Sequence, residues 1–208
     1  TLYNNYSAIG NTAIGNNPLY YNDWFLFTGF DFYNTAIGDN TMYNNTYGKQ
    51  NTSVGAKSLF NNIDGDDNNA FAYSALFNNT YGYNNNAFGT EALYRNTIGS
   101  FNNAFGYRVL FENNSGSNNN AFGHSALYNN LTGSNNNAFG NRVLNNITTG
   151  NGNCAFGKEA LSVNTTGNKN TGLGHEVDVL SNNLNFATAL GAQANVGCSN
   201  CLALGGDV

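Results

Sequence analysis

Charge is scarce in this sequence. Only 9% of its 208 residues are Asp, Glu, Lys or Arg, and seven Lys and Arg stand against twelve Asp and Glu, a net charge of −5. A chain so poor in cations is badly equipped to neutralise a phosphate backbone, which argues against nucleic acid as a partner. Long apolar runs are missing as well: no segment approaches the roughly 20 apolar residues of a spanning helix, so no membrane span is expected. No signal peptide is visible, as in a mature chain that has lost one. Proline, methionine and tryptophan occur once each, histidine twice and cysteine three times, far from ordinary globular usage. Uninterrupted segments of helical length are absent too, because two glycines fall in each 17-residue stretch and Asn runs separate the apolar positions. Both features disfavour helix.

What is abundant is asparagine, 46 residues, and glycine, 25. Such bias accompanies disordered tracts unless apolar residues recur in register, and here they do. An anchor glycine returns every 17 residues from Gly38 to Gly191, with Ala72 in the one vacated slot, and a second glycine sits ten residues after the anchor, from Gly48 to Gly167. Two punctuators per repeat predict two bends with short strands between them. The residue before the anchor is apolar throughout: Ile37, Val54, Phe71, Phe88, Phe105, Phe122, Phe139, Phe156, Leu173 and Leu190. Four after it stands another column, Met42, Leu59, Leu76, Leu93, Leu110, Leu127, Leu144 and Leu161, usually followed by an aromatic such as Tyr43, Phe60 or Tyr94. The Phe and Leu columns together are expected to form the core, a narrow slot. The small residues two before the anchor, such as Ala36, Ser53 and Ala87, are then expected to face away from the Phe column. There they would form either a flat surface open to another chain or a tight corner beside the turn.

Strands of four or five residues cannot bury an apolar face alone, so each repeat needs a neighbour above and below. The expected fold is all-β: a parallel β-solenoid of about twelve 17-residue coils, two short strands per coil, forming a rod on the order of 55 Å long at about 4.8 Å per coil. Asparagine has a place in it. The residue four before the anchor is Asn34, Asn51, Asn68, Asn85, Asn102, Asn119, Asn136, Asn153 and Asn170 without a break, and stacked amides hydrogen-bond from layer to layer as a structural ladder. A second ladder lies seven after the anchor, at Asn45, Asn62, Asn79, Asn96, Asn113, Asn130 and Asn164.

Asn34-Thr35-Ala36-Ile37-Gly38, Asn51-Thr52-Ser53-Val54-Gly55 and the later NNAFG and NCAFG rows resemble head repeats of trimeric autotransporter adhesins and related repeats of tail-fibre proteins. The resemblance covers nearly the whole chain and implies a left-handed parallel β-roll, commonly trimeric, displayed outside the cell. Ala189-Leu190-Gly191 returns after 14 residues as Ala203-Leu204-Gly205, close to the repeat length of that family. Residues 1–180 are therefore expected to form the 17-residue array and 181–208 terminal coils shifting to a 14-residue repeat. The sequence opens in mid-coil, with Leu2 and Tyr3 in the Leu and aromatic slots. Either it is part of a longer protein or another subunit completes the coil. Uncapped strand edges recruit further strands, so a head-to-tail filament is one expectation and a trimer the other.

Register breaks once, between Gly15 and Gly38, where an insertion near residues 21–33 carries Trp24, Phe25, Phe27 and Phe30. Such insertions emerge as loops on one face; this one is expected to contact a partner subunit or plug the solenoid end, or else to stack on a surface glycan. Both histidines, His124 and His175, occupy a slot that elsewhere holds Asp39, Ala56 or Lys158, so no orienting partner or nucleophile is implied. Glu91, Glu159 and Glu176 share the next slot with Lys57, Arg108 and Arg142, a solvated face. Cys198 and Cys201 form a C-x-x-C that fits a disulfide outside the cell or a reduced buried pair; no metal site is expected there or at Asp64, Asp66 and Asp67. Sequons at Asn44, Asn78, Asn113, Asn130 and Asn164 arise from the repeat itself. Threonine ranks of the kind an ice-binding face needs are interrupted by Asn. No catalytic residues and no cofactor are expected. The sequence reads as an extracellular structural protein, a self-assembling filament or adhesive fibre subunit, with a receptor- or glycan-binding fibre module as the alternative.

Overall fold

The computed structural model describes residues 9–21 and 32–205. The fold is a parallel β-solenoid. Twelve strands of three residues each, from Thr12–Ile14 to Leu202–Leu204, pair in chain order into one parallel sheet. Equivalent residues meet in register, as at Asn86↔Asn103, Ala87↔Ala104 and Phe88↔Phe105. The register absorbs the irregular steps: Thr12 pairs with Thr35 across the insertion, and Thr188 with Leu202 across the short terminal coil. Trp24, Phe25, Phe27 and Phe30 lie outside the described residues.

The expectation of two strands per coil is corrected. Among the described residues a second strand occurs only near the C-terminal end, where Asp178–Val179 pairs with Asn195–Val196. Elsewhere the segment carrying the Leu column is joined to its neighbours by backbone hydrogen bonds that alternate in direction: Arg108 N–H reaches Thr90 O in the coil before (3.1 Å), and Leu110 N–H reaches Ala126 O in the coil after (3.0 Å). The alternation follows from φ. Leu19, Met42 and each following Leu of the column sit in the left-handed region at φ 48–52°, a conformation that costs a non-glycine residue roughly 1–2 kcal/mol. Each of these side chains is fully buried, which returns roughly 1.5–3 kcal/mol. Burial and the hydrogen bonds between coils hold a backbone that local preference would refuse.

The core is also arranged differently from expectation. Ala36, Ala70, Ala87, Ala104, Ala121 and their equivalents point inward with no exposure. Phe71, Phe88, Phe105, Phe122, Phe139 and Phe156, expected in the core, lie on the outer face of the sheet, with Phe88 36% and Phe156 40% exposed. Leu76, Leu93 and Leu127 are in the core as expected. The reason is space. At Gly172, which occupies the Ala slot, an added Cβ would stand 2.7 Å from Leu161 Cγ, so the Leu column already fills the lumen to within a methyl group. A phenyl ring has nowhere to go but out.

Two amide ladders line the interior. Asn102 Nδ2 donates to Gly116 O (2.9 Å) and Asn85 Oδ1 (3.1 Å), while its Oδ1 accepts from Asn119 N–H (3.0 Å). In the second ladder Asn113 Nδ2 donates to Asn96 Oδ1 (2.7 Å) and Gly116 O (2.9 Å). The carbonyl of the second glycine is thus where both ladders meet in each coil. Ile147 interrupts the second ladder: Asn130 Oδ1 is left buried without a partner, and Asn164 Nδ2 turns aside to Asn153 Oδ1 (3.2 Å). An orphaned acceptor costs about 1–3 kcal/mol. Ile147→Asn is therefore expected to raise stability by about 1 kcal/mol net of the lost apolar burial, a gain of several degrees in the melting temperature followed by circular dichroism.

Outer ladders run the other way. Asn69 Nδ2 donates forward to Asn86 Oδ1 (2.9 Å) and Asn44 Nδ2 forward to Asn61 Oδ1 (2.8 Å), whereas both inner ladders donate backward toward the N-terminus.

Candidate functional site

Two outward surfaces repeat along the rod with the coil spacing. The first is the outer face of the twelve-stranded sheet. Because three-residue strands alternate out, in and out, the residues flanking each buried Ala both point to solvent, giving a Phe column beside an Asn or Thr column. The Phe rings stack on one another with centroids 4.6–4.8 Å apart, and Ile37, Val54, Leu173 and Leu190 extend the stripe in both directions. Ring stacking decides what this stripe can do. Each ring face is covered by the next ring and only edges reach solvent, so a sugar cannot lie flat on an internal ring. Beside it Asn69, Asn86, Asn103, Asn120 and Asn137 form an amide ladder at 2.7–2.9 Å. Cys154 continues that column, half-buried, and burial raises its thiol pKa, which keeps it a poor nucleophile.

The second surface is a groove of about 810 Å³ crossing six coils, from Asn44 to Leu131. Its walls are the columns on either side of the second inner ladder. One wall carries Asn44, Asn61 and Asn78, with Asn61 Nδ2 donating to Asn78 Oδ1 (3.0 Å); the other carries Thr80 and Thr97, whose hydroxyls donate to the carbonyls of Thr97 (2.9 Å) and Asn114 (3.0 Å). Arg95 and Glu112 pair across neighbouring coils at 2.8 Å. Behind the Asn wall runs a second aromatic ladder, Tyr43, Phe60, Phe77, Tyr94, Phe111 and Tyr128, at 5.0–5.1 Å. Sequence reasoning did not find this groove. The signal was present: an Asn that recurs every 17 residues, interrupted at Ile147, and is flanked on both sides by variable, mostly polar residues marks one inward and two outward positions.

The residues with the chemistry of catalysis are dispersed. His124 lies against the Tyr107 ring at 5.3 Å, and His175 Nε2 is 3.6 Å from Glu176 Oε1. Glu91 pairs with Arg108 at 2.5 Å, and Glu159 stands 3.8 Å from Lys158. Each carboxylate of that slot faces a cation, so it builds a charged rank along the rod. Among the described residues Asp178 is the one carboxyl with a resolved perturbation: burial raises its pKa, partly opposed by hydrogen bonds from Ser162 Oγ and the N–H groups of Val179 and Val163. It caps the start of the second short sheet. Asp66 accepts Lys49 N–H at 2.7 Å. Among the described residues no three His, Cys, Asp or Glu side chains gather as a metal site, and no helix is long and apolar enough to cross a membrane. Cys198 and Cys201 are joined in a disulfide. Of the sequon asparagines, Asn113, Asn130 and Asn164 are fully buried, and Asn44 and Asn78 line the groove. No protein-family model, no curated protein and no solved structure matches this chain.

Proposed function

We propose that this is an extracellular structural protein, a fibre or filament subunit that assembles with copies of itself and is not an enzyme. The observation that carries the reading is the Phe stripe: an apolar ridge on the outside of a rod, in register from Ile37 to Leu190, where solubility alone would place polar residues. Contiguous apolar surface of this extent marks an interaction site. Over its ten coils, about 43 Å, and the roughly 10 Å of a three-residue strand, this face covers roughly 430 Å², about half of the roughly 800 Å² per partner of a stable interface, and exposed Ile14 and Leu204 continue it at either end. A second copy is the fitting partner because it repeats at the same spacing, so each ring edge finds an equivalent row along the whole length. The resemblance to adhesin heads supports a closed lateral assembly, and the Cys198–Cys201 disulfide supports an oxidising compartment.

Light scattering on the purified chain is expected to give a multiple of the monomer mass. Phe88→Glu combined with Phe122→Glu is expected to return it to monomer, because two charges per chain would be desolvated at the contact, while the circular dichroism spectrum stays that of the parent since both side chains point outward. A parent chain that is monomeric at high micromolar concentration would sink lateral assembly. Long fibres in electron micrographs with an axial rise near 55 Å would replace it with head-to-tail stacking.

The adhesive alternative, a receptor- or glycan-binding fibre module, is favoured by one feature, the polar groove from Asn44 to Leu131.

A further inference from the structure

The structure assigns the groove a ligand class: an unbranched, neutral polysaccharide of equatorially linked pyranoses, lying along the rod axis. This deepens the adhesive reading above and rests on it.

The walls present complementary hydrogen-bonding valences. On one wall Asn44 and Asn61 each spend one N–H on the next Asn of the ladder, and a primary amide has a second N–H to give. On the other wall the hydroxyls of Thr80 and Thr97 spend their hydrogens on the carbonyls of the following coil, which leaves their oxygen lone pairs to accept. Asn44, Asn61 and Asn78 therefore offer donors over three successive coils on one side, and Thr80 and Thr97 offer acceptors over two on the other. Sugar hydroxyls, donors and acceptors at once, satisfy both. Ile63 and Leu131 on the acceptor side give the ring C–H faces an apolar surface.

Spacing selects the polymer. The rows repeat at about 4.8 Å, close to the length of one pyranose ring in an equatorially linked chain, so successive units meet successive rows. An extended peptide advances about 3.3 Å per residue and drifts out of step within a few rows. It also finds no backbone edge to pair with, since side chains form the walls. Charge selects neutrality: Arg95 and Glu112, the two charged residues of the groove, are partnered with each other.

Calorimetry on the whole chain with cellohexaose, chitohexaose and xylohexaose tests this, with maltohexaose, whose linkage curves the chain, as the control. At least one of the three is expected to bind at least tenfold more tightly than maltohexaose. Its affinity should climb from trimer to hexamer as it fills the roughly 24 Å spanned by six coils and change little between low and high salt. Asn78→Ala is expected to weaken it about tenfold. Leu131→Arg, at an exposed wall position outside either inner ladder, is expected to weaken it by a similar factor without touching the fold. No preference over maltohexaose, or affinity indifferent to both substitutions, would overturn the proposal. Preferential, salt-sensitive binding of heparin would also overturn it, as an ionic surface. Light scattering on the same samples reports assembly separately, so groove and fibre readings fail independently.

Discussion

Gly99→Ala is expected to cost about 4 kcal/mol, in the range of the most damaging single substitutions known in folded proteins. The cause is contact, because Gly99 is outside the left-handed region and alanine's backbone preferences are no obstacle. A Cβ there would stand 2.4 Å from Asn96 Oδ1, 2.4 Å from Gly116 O and 2.7 Å from Asn113 Nδ2. None of these is the loose end of a flexible chain. Two belong to an inner amide ladder and the third is the backbone of the next coil, so relief of the clash breaks hydrogen bonds in two coils at once. Gly197→Ala is the control: its nearest neighbour would be Leu180 Cδ1 at 3.4 Å, an ordinary contact, and its effect is expected to stay within about 1 kcal/mol. Urea titration followed by circular dichroism measures both. Equal midpoints for the two variants would show that the ladder has slack the close contacts deny.

Asn102→Leu is expected to be nearly as severe, again about 4 kcal/mol, although leucine is similar in size and far more hydrophobic. The amide of Asn102 makes four hydrogen bonds: to Gly116 O, to Asn85 Oδ1, from Asn119 N–H and from Asn119 Nδ2. Leucine makes none of them and leaves the N–H of Asn119 buried without a partner, at about 1–3 kcal/mol for that group alone and about 1 kcal/mol for each further bond. Asn102→Asp separates shape from hydrogen bonding. A carboxyl at this buried site has its pKa raised above the ordinary value of about 3.9. The folded state then holds a proton the unfolded state has lost, so stability is greatest below that ordinary value and falls as pH rises through the raised one. The aspartate variant is expected to melt closer to the parent at pH 4 than at pH 7. A variant equally impaired at both would mean that water reaches the ladder.

Much of this architecture is legible in the residues. The anchor glycines give the period, the unbroken series from Asn34 to Asn170 gives the inner ladder, and the series from Met42 to Leu161 gives the buried column. What misled was the strand Asn103–Phe105 and its equivalents. Three residues alternate in direction without saying which direction is inward, and hydrophobicity pointed to Phe over Ala. The answer depends on the width of the lumen, set by the Leu column on the opposite wall, and a contact across the coil leaves no trace in a local pattern. The left-handed leucines were equally hidden, since φ near 50° at a residue such as Leu110 is imposed by the neighbouring coils. The groove went unseen for the same reason: its walls are outward only because the left-handed residue just before them turns the chain.

The opposed directions of the inner and outer amide ladders have an electrical meaning. In an α-helix the peptide dipoles point one way and add to a macrodipole, with partial charge at either end. Here the interior amides, as from Asn102 to Asn85, are oriented against those of the surface, as from Asn69 to Asn86, and side-chain dipoles so arranged cancel in part. The rod gains less axial polarity from its asparagines than ladders running all one way would give it. Inserting or deleting a coil then adds only the uncancelled part of its amide dipoles, which leaves the length of such a protein open to change by simple duplication of a 51-nucleotide unit, three bases for each of the 17 residues between equivalent amides.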